Sequence, residues 1–219
     1  MLVSEIIQSS VPVLHYDDTV EEAIELLQEN NLEHLAVLDN DNYEGLISMD
    51  ELLSGNNTDT ISMLAGKFIH ISIIDNQFFL NALKLITESG ITVLPVLSAN
   101  NEYIGVITER ILLQHLALFL SADAPGGIFV LEMQREKFSI GELCRLVETN
   151  DAYVTQFNTY TEHISGLFIV TFKINKTEIS DILATLQRYD YTVRYYFGEE
   201  FFENGLKENF QNLMAYLNV

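Results

Sequence analysis

Two short stretches of the sequence, sixty residues apart, decide the fold. Residues 43–48 read YEGLIS and residues 103–108 read YIGVIT. An apolar, strand-like segment precedes each of them, LAVL at 35–38 and LPVL at 94–97. A run of polar turn residues separates each apolar segment from the stretch that follows it. A repeat of this kind predicts that one structural unit occurs twice.

Apolar residues at helical spacing precede each copy, and the two sets lie fifty-nine residues apart. They are Val20, Ala23, Ile24 and Leu27, and then Phe79, Ala82, Leu83 and Ile86. Asn31 and Gly90 follow the two helices, and both residue types tolerate the left-handed conformation that ends a helix. Thr19 and Glu22 predict a capping box at the start of the first helix. The predicted unit is strand–helix–strand–strand–helix, and two copies packed sheet against sheet would bury each other's apolar faces.

The paired segments resemble a tandem pair of CBS domains, which together form a Bateman module. The resemblance rests on LPV at 94–96 with GVIT at 105–108, and on LAV at 35–37 with GLIS at 45–48. It covers roughly residues 1–120. We therefore predict one CBS repeat at 1–57 and a second at 58–121.

The resemblance to CBS pairs implies that adenosine-containing ligands bind in clefts between the two repeats. In the family pattern, Gly-hydrophobic-hydrophobic-Thr/Ser-x-x-Asp, the hydroxyl caps a helix and reaches a phosphate, and the acid binds the ribose hydroxyls. The implied effectors are AMP, ADP, ATP or S-adenosylmethionine, with no covalent cofactor. The implied ligand-binding residues are Val13, Leu35, Ser48, Asp50, Glu51, Pro95, Thr108 and Arg110.

The two copies differ at the ribose position of this pattern. Glu51 occupies it in the first copy and Ile111 in the second, and isoleucine cannot accept a hydrogen bond. We therefore expect a nucleoside to bind in the cleft with Ser48 and Glu51, not in the one with Thr108 and Ile111. Arg110 has two interpretations, a phosphate contact or a solvated helix charge paired with an acid, and the second is the commoner role of a surface charge.

The second half of the chain is a different domain. Residues 122–127 read as a linker, and the apolar pattern of 128–198 predicts the order βαββαβ, the split βαβ of ferredoxin-like folds. After a CBS pair, this order resembles an ACT domain, and the whole resembles the acetoin-utilisation type of CBS–ACT protein. ACT domains often bind amino acids at subunit interfaces, but the turn at 134–138 lacks the family's glycine. Residues 199–219 predict an amphipathic C-terminal helix that packs on its own domain or on a partner helix.

The sequence predicts an α/β protein, and its net charge argues against two classes of partner. The 219 residues include 11 Lys and Arg against 32 Asp and Glu, a net charge of −21 that repels nucleic-acid phosphates and anionic lipid. We therefore expect neither nucleic acid nor membrane as a partner. The apolar stretch 111–122 is shorter than the ~20 residues that span a bilayer, so it predicts a buried helix. No targeting segment stands out, and a cytoplasmic location is expected.

Motifs for catalysis and for metal binding are missing from the sequence. The 5 histidines form no HExxH pattern, and there is no G-x-S-x-G, Walker or G-x-G-x-x-G motif, so we expect no catalytic and no metal-binding residues. Cys144 is expected to be a small core residue. The leading hypothesis is a non-enzymatic regulatory protein that senses an adenine nucleotide near Ser48 and Glu51. The alternative is a structural module with decayed ligand sites, a homodimer held by apolar helices such as 111–120, with a protein partner still to be found.

Overall fold

The computed structural model describes residues 1–198, and the chain divides into two compact units, Met1–Ala117 and Leu118–Val219. The first copy consists of β1 (Leu14–His15), α1 (Val20–Asn30), β2 (His34–Asp39), β3 (Asn42–Ser48) and α2 (Met49–Leu53). The second consists of β4 (Ile73–Ile74), α3 (Phe79–Ser89), β5 (Val93–Leu97), β6 (Tyr103–Thr108) and α4 (Glu109–Phe119). Short 3-10 helices lie at Val3–Glu5 and Ile61–Lys67.

Each copy forms the predicted three-stranded sheet. Strand β1 pairs parallel with β2, and β2 pairs antiparallel with β3; β4, β5 and β6 repeat this arrangement. The predicted capping box is confirmed, because the Thr19 hydroxyl accepts a hydrogen bond from the Glu22 amide and the Glu22 carboxylate accepts one from the Thr19 amide. Asn31 and Gly90 have φ values of 52° and 65°, so both predicted left-handed helix ends are confirmed.

The two sheets of the first unit share a core. Ala36 and Leu46 of the first copy lie in the same apolar cluster as the buried strand residues of the second copy. The equivalent residues Tyr43 and Tyr103 stack with ring centroids 6.4 Å apart. The expectation that the two copies bury each other's apolar faces is therefore confirmed.

The segment that precedes each copy pairs with the last strand of the other copy. Gln8 and Val106 exchange two backbone hydrogen bonds of 2.8 and 3.0 Å, and Ile69 and Leu46 exchange two of 2.8 and 2.9 Å. A β-carbon on Gly105 would lie 2.8 Å from the Gln8 carbonyl oxygen, so the close approach requires glycine there. Backbone hydrogen bonds from the segment before each copy thus connect that segment to the other copy.

Helix α4 corrects the prediction of a buried helix at 111–122. Leu112 is 2% exposed, but Leu113 is 67% exposed and Leu118 is 60% exposed. Only the stripe that carries Leu112 packs against the core of the first unit, with Ile111 and Leu116 partly buried beside it. The prediction was wrong because the apolar residues continue around the helix to a surface that the first unit does not cover.

The second unit has the predicted order βαββαβ. Its elements are β7 (Ile128–Met133), α5 (Ile140–Glu148), β8 (Val154–Thr161), β9 (Phe168–Ile174), α6 (Ser180–Arg188) and β10 (Thr192–Phe197). The strands form one antiparallel sheet in the order β10-β7-β9-β8, and both helices pack on it through a cluster that includes Phe129, Leu146 and Leu186. Cys144 is only partly buried, which corrects its expected core position, because its neighbours Leu143 and Leu146 occupy the face toward the sheet.

The predicted C-terminal amphipathic helix at 199–219 lies outside the described residues. Within residues 1–198, every helix is too short or too polar to cross a bilayer. In the same part of the chain, no group of three or more His, Cys, Asp or Glu side chains is arranged to hold a metal ion.

Candidate functional site

The first unit contains two cavities at equivalent places in the two copies. The Ser48 cleft has a volume of about 440 Å³, and its lining includes Glu33, His34, Ser48, Asp50, Ile69 and Gly90. The Arg110 cleft has a volume of about 350 Å³, and its lining includes Gln8, Ser10, Asn30, Asn31, Thr108 and Arg110. Both are large enough to take part of a nucleotide-sized ligand.

Both copies contribute to each cleft. The Ser48 cleft combines the end of β3 with Gly90, which ends helix α3 of the second copy, and with Ile69. The Arg110 cleft combines the end of β6 with Asn31, which ends helix α1 of the first copy, and with Gln8. A ligand in either cleft would therefore contact both copies at once.

In the Ser48 cleft, the structure brings together Ser48 and Asp50 but not Glu51. The Ser48 hydroxyl accepts a hydrogen bond of 3.2 Å from the Glu51 amide and so caps α2. The Glu51 carboxylate lies 3.4 Å from the Lys67 ammonium, and Glu51 is not among the residues that line the cavity. The acidic residues that line this cavity are therefore Glu33 and Asp50.

In the Arg110 cleft, the structure brings together Thr108 and Arg110. The Thr108 hydroxyl donates a hydrogen bond of 2.6 Å to the Gln8 side-chain oxygen and accepts one of 3.4 Å from the Ile111 amide. Arg110 is exposed and forms no ion pair within residues 1–198. Its guanidinium is thus open to a ligand, rather than paired with an acid.

Three further candidate residues line neither cleft. Leu35 is fully buried in β2 within the core of the first copy, and Pro95 is buried in β5. Val13 is partly buried and packs against the shared core. Their side chains contribute to the strands and the packing beside the clefts.

His34 lines the Ser48 cleft and was missed by the sequence reasoning. It is 8% exposed, its Nδ1 lies 3.1 Å from the Thr92 hydroxyl, and the Thr92 amide donates to Nδ1 at 3.4 Å. Burial lowers the pKa of His34, while the carboxylates of Glu33, Glu109 and Asp50 act in the opposite direction. Because Nδ1 accepts a hydrogen bond, Nε2 carries the proton of the neutral ring.

The second unit has a cavity of its own, of about 460 Å³. Its lining includes Glu132, Gln134, Lys137, Glu142, Asp190 and Tyr191. The Tyr191 hydroxyl donates a hydrogen bond of 3.0 Å to the Glu142 carboxylate. Burial is the largest cause that raises the pKa of Tyr191 to about 12, and this hydrogen bond is the next. The cavity therefore lies at the glycine-free turn of residues 134–138 and carries charges of both signs.

Comparison with known proteins defines the class of the first unit. The CBS domain family matches at residues 3–55 and again at 71–118, so the chain carries two CBS domains in tandem. A crystal structure of a CBS domain pair/ACT domain protein from Thermotoga maritima is similar over 55% of this chain and 99% of that chain, with 19% identity and a TM-score of 0.50. These values show a shared fold.

Two further structures are similar over about half of this chain. CBSX2 in complex with AMP is 21% identical, over 54% of this chain and 97% of that chain, with a TM-score of 0.47. The cytosolic domain of the Mg²⁺ channel MgtE in complex with ATP is 16% identical, over 50% of this chain and 46% of that chain, with a TM-score of 0.43.

Proposed function

We propose that this chain is a non-enzymatic, cytoplasmic regulatory protein whose CBS pair binds an adenosine-containing effector. The effector class comprises AMP, ADP, ATP and S-adenosylmethionine. The observation that carries the proposal is the pair of equivalent clefts, each built from both copies beside a Ser or Thr that caps the following helix. Since a ligand would contact both copies, its binding would stabilise their mutual packing, which is a physical basis for regulation.

The Ser48 cleft offers the better ribose site. A carboxylate can accept hydrogen bonds from both hydroxyls of a ribose, and Asp50 lines this cavity. Glu51 faces Lys67, so we assign to Asp50 the ribose contact that the family pattern gives to position 51. The Arg110 cleft has no carboxylate among its lining residues.

Calorimetric titration with AMP, ADP, ATP and S-adenosylmethionine tests the proposal. At least one ligand is expected to bind with a dissociation constant below millimolar. Removal of a buried ribose contact costs ~1–3 kcal/mol, so Asp50→Asn is expected to weaken nucleoside binding in the Ser48 cleft roughly tenfold to a hundredfold. Glu51→Gln is the matched control and is expected to change binding little. Absence of heat for all four ligands up to millimolar concentration would contradict the proposal.

A second function, homodimerisation through the CBS helices, is favoured by two exposed leucines at equivalent positions. Leu53 in α2 is 63% exposed and Leu113 in α4 is 67% exposed. Burial of such side chains stabilises an interface by about 1.5–3 kcal/mol each. Light scattering is expected to show a dimer at micromolar concentration, and Leu113→Glu is expected to shift it to monomer, with Glu21→Gln on α1 as control. A monomeric wild-type protein would contradict dimerisation.

We also propose that 128–198 is an ACT-type domain that adds a second signal, joined by 122–127 to CBS repeats at 1–57 and 58–121. The sheet order β10-β7-β9-β8 and the mixed-charge cavity at the turn of residues 134–138 support this assignment. A thermal-shift screen of the proteinogenic amino acids tests it. A stabilising amino acid whose effect is lost in Lys137→Gln would support the assignment, and no shift with any amino acid would count against it.

A further inference from the structure

The two CBS clefts differ in charge, and we propose that they sort ligands by charge. The Arg110 cleft binds a phosphate-bearing ligand, while the Ser48 cleft binds an uncharged or cationic one that accepts a hydrogen bond from His34 Nε2. The inference rests on the proposed function and names the ligand class for each cleft.

The lining of the Ser48 cleft disfavours anions. Glu33 and Asp50 contribute two carboxylates, and the described lining contains no lysine or arginine. A third carboxylate, that of Glu109 at the start of α4, acts on His34 from the second copy. These carboxylates would repel a phosphate in this cleft and attract a sulfonium or ammonium group.

His34 supplies the Ser48 cleft with a hydrogen-bond donor that carries no charge. More than nine-tenths of the residue is buried, and its Nδ1 is held by the amide and hydroxyl of Thr92. Nε2 makes no hydrogen bond within residues 1–198, so it is the ring nitrogen still available to a ligand in the cavity that His34 lines. Since burial lowers the pKa of His34, the ring is neutral at pH 7. A ribose or purine acceptor fits this donor.

The lining of the Arg110 cleft favours anions. Its charged side chain is the guanidinium of Arg110, and its remaining polar lining consists of amides and hydroxyls, including Gln8, Asn31 and Thr108. A guanidinium binds phosphate oxygens in a two-pronged geometry and keeps its charge at all physiological pH values. The two clefts thus present opposite electrostatic environments within one CBS pair.

Three nucleosides that differ only at the 5′ position test the inference: adenosine, AMP and 5′-amino-5′-deoxyadenosine. Binding is followed by NMR through the backbone amides of the two clefts in the full chain. AMP is expected to shift the amides around Thr108, and the amino analogue those around His34. Arg110→Gln is expected to weaken AMP about tenfold or more and to leave the amino analogue unchanged, since a hydrogen bond to a charged group is lost. Asp50→Asn is expected to weaken the amino analogue and not AMP.

Two substitutions at His34 isolate its donor. His34→Gln retains an N–H donor near the position of Nε2, whereas His34→Leu removes it. Adenosine binding is expected to survive in His34→Gln and to fall about tenfold in His34→Leu. Thermal unfolding of both variants is measured alongside, so that loss of folding is distinguished from loss of the donor. Equal binding by the two folded variants would refute the role of His34.

The sorting is overturned if AMP and the amino analogue shift the same cleft, or if Arg110→Gln weakens both alike. If none of the three nucleosides binds, the proposed function fails. The charge preference of the two clefts is then tested separately, by the amide shifts that pyrophosphate and methylammonium cause. Pyrophosphate shifts confined to the amides around Thr108 would support the sorting. Pyrophosphate shifts around His34, or none in either cleft, would refute it.

Discussion

Gly105→Ala tests how the two CBS copies are held together. The substitution places a β-carbon 2.6 Å from the Ile7 Cγ2 atom and 2.8 Å from the Gln8 carbonyl oxygen, at a φ of +142°. Real β-carbons do not approach backbone this closely, so the segment that contains Gln8 must move away from β6. That movement opens the paired hydrogen bonds of 2.8 and 3.0 Å between Gln8 and Val106.

The expected loss of stability follows from these contacts. Two backbone hydrogen bonds contribute roughly 0.5–1.5 kcal/mol each, and a strained backbone conformation adds about 1 kcal/mol. Gly105→Ala is therefore expected to lower the free energy of unfolding of the first unit by about 2–4 kcal/mol. For a unit the length of Met1–Ala117, that corresponds to a fall in Tm of about 8–16 °C. AMP binding is expected to weaken as well, because Gln8 lines the Arg110 cleft and accepts the Thr108 hydrogen bond.

Circular dichroism during thermal and urea unfolding provides the assay. Gly66→Ala is the matched control, because nothing lies within 4 Å of the β-carbon it would add. Its effect is expected to stay within about 0.5 kcal/mol. If Gly105→Ala is as stable as Gly66→Ala, the pairing of Gln8 with Val106 does not hold the two copies together, and the reasoning is refuted.

Two further predictions concern a helix cap and a pair of tyrosines, each measured by urea unfolding. Thr19→Ala is expected to cost about 1 kcal/mol at pH 7, because it removes the acceptor of the Glu22 amide. Hydrogen bonds from the Thr19 amide and then the Thr19 hydroxyl lower the pKa of Glu22, and the variant loses the hydroxyl's bond, so the difference from wild type should shrink as the pH falls through that pKa; a constant difference would contradict this. Tyr43→Phe is expected to cost about 1 kcal/mol through its 2.7 Å bond to the Ile71 carbonyl, whereas Tyr103→Phe should cost less. Burial raises the pKa of Tyr103 from 10.0 to about 12, so the unfolded chain loses this proton at a lower pH than the folded protein does. The wild type should therefore lose stability as the pH rises through this range, and Tyr103→Phe should lose less. Identical pH profiles for the two proteins would contradict this prediction.

The framework of the fold was predictable because its signals are local. Thr19 identified the start of a helix, and Asn31 and Gly90 identified two helix ends, since caps depend on residues within one turn. The repeat then predicted the order of elements along each copy, strand–helix–strand–strand–helix. Alternating apolar residues likewise gave the order of elements in the second unit.

The make-up of the clefts was less predictable, because it depends on residues far apart in sequence. Gln8 meets Thr108 across one hundred positions, and His34 meets Thr92 across the two copies. A lone histidine at the start of a strand carries no motif, so nothing in the sequence marked it. Helix α4 was misread for a related reason: composition shows that a helix is apolar but not which of its faces the protein covers.

The most direct test of the regulatory account is a crystal structure of the protein purified without removal of bound small molecules, then of the same crystals soaked with AMP and with S-adenosylmethionine at millimolar concentration. The account predicts density for an adenosine-containing ligand in the CBS clefts, with AMP against Arg110 and S-adenosylmethionine beside Asp50 and His34. Two empty clefts in both the native and the soaked crystals would contradict it.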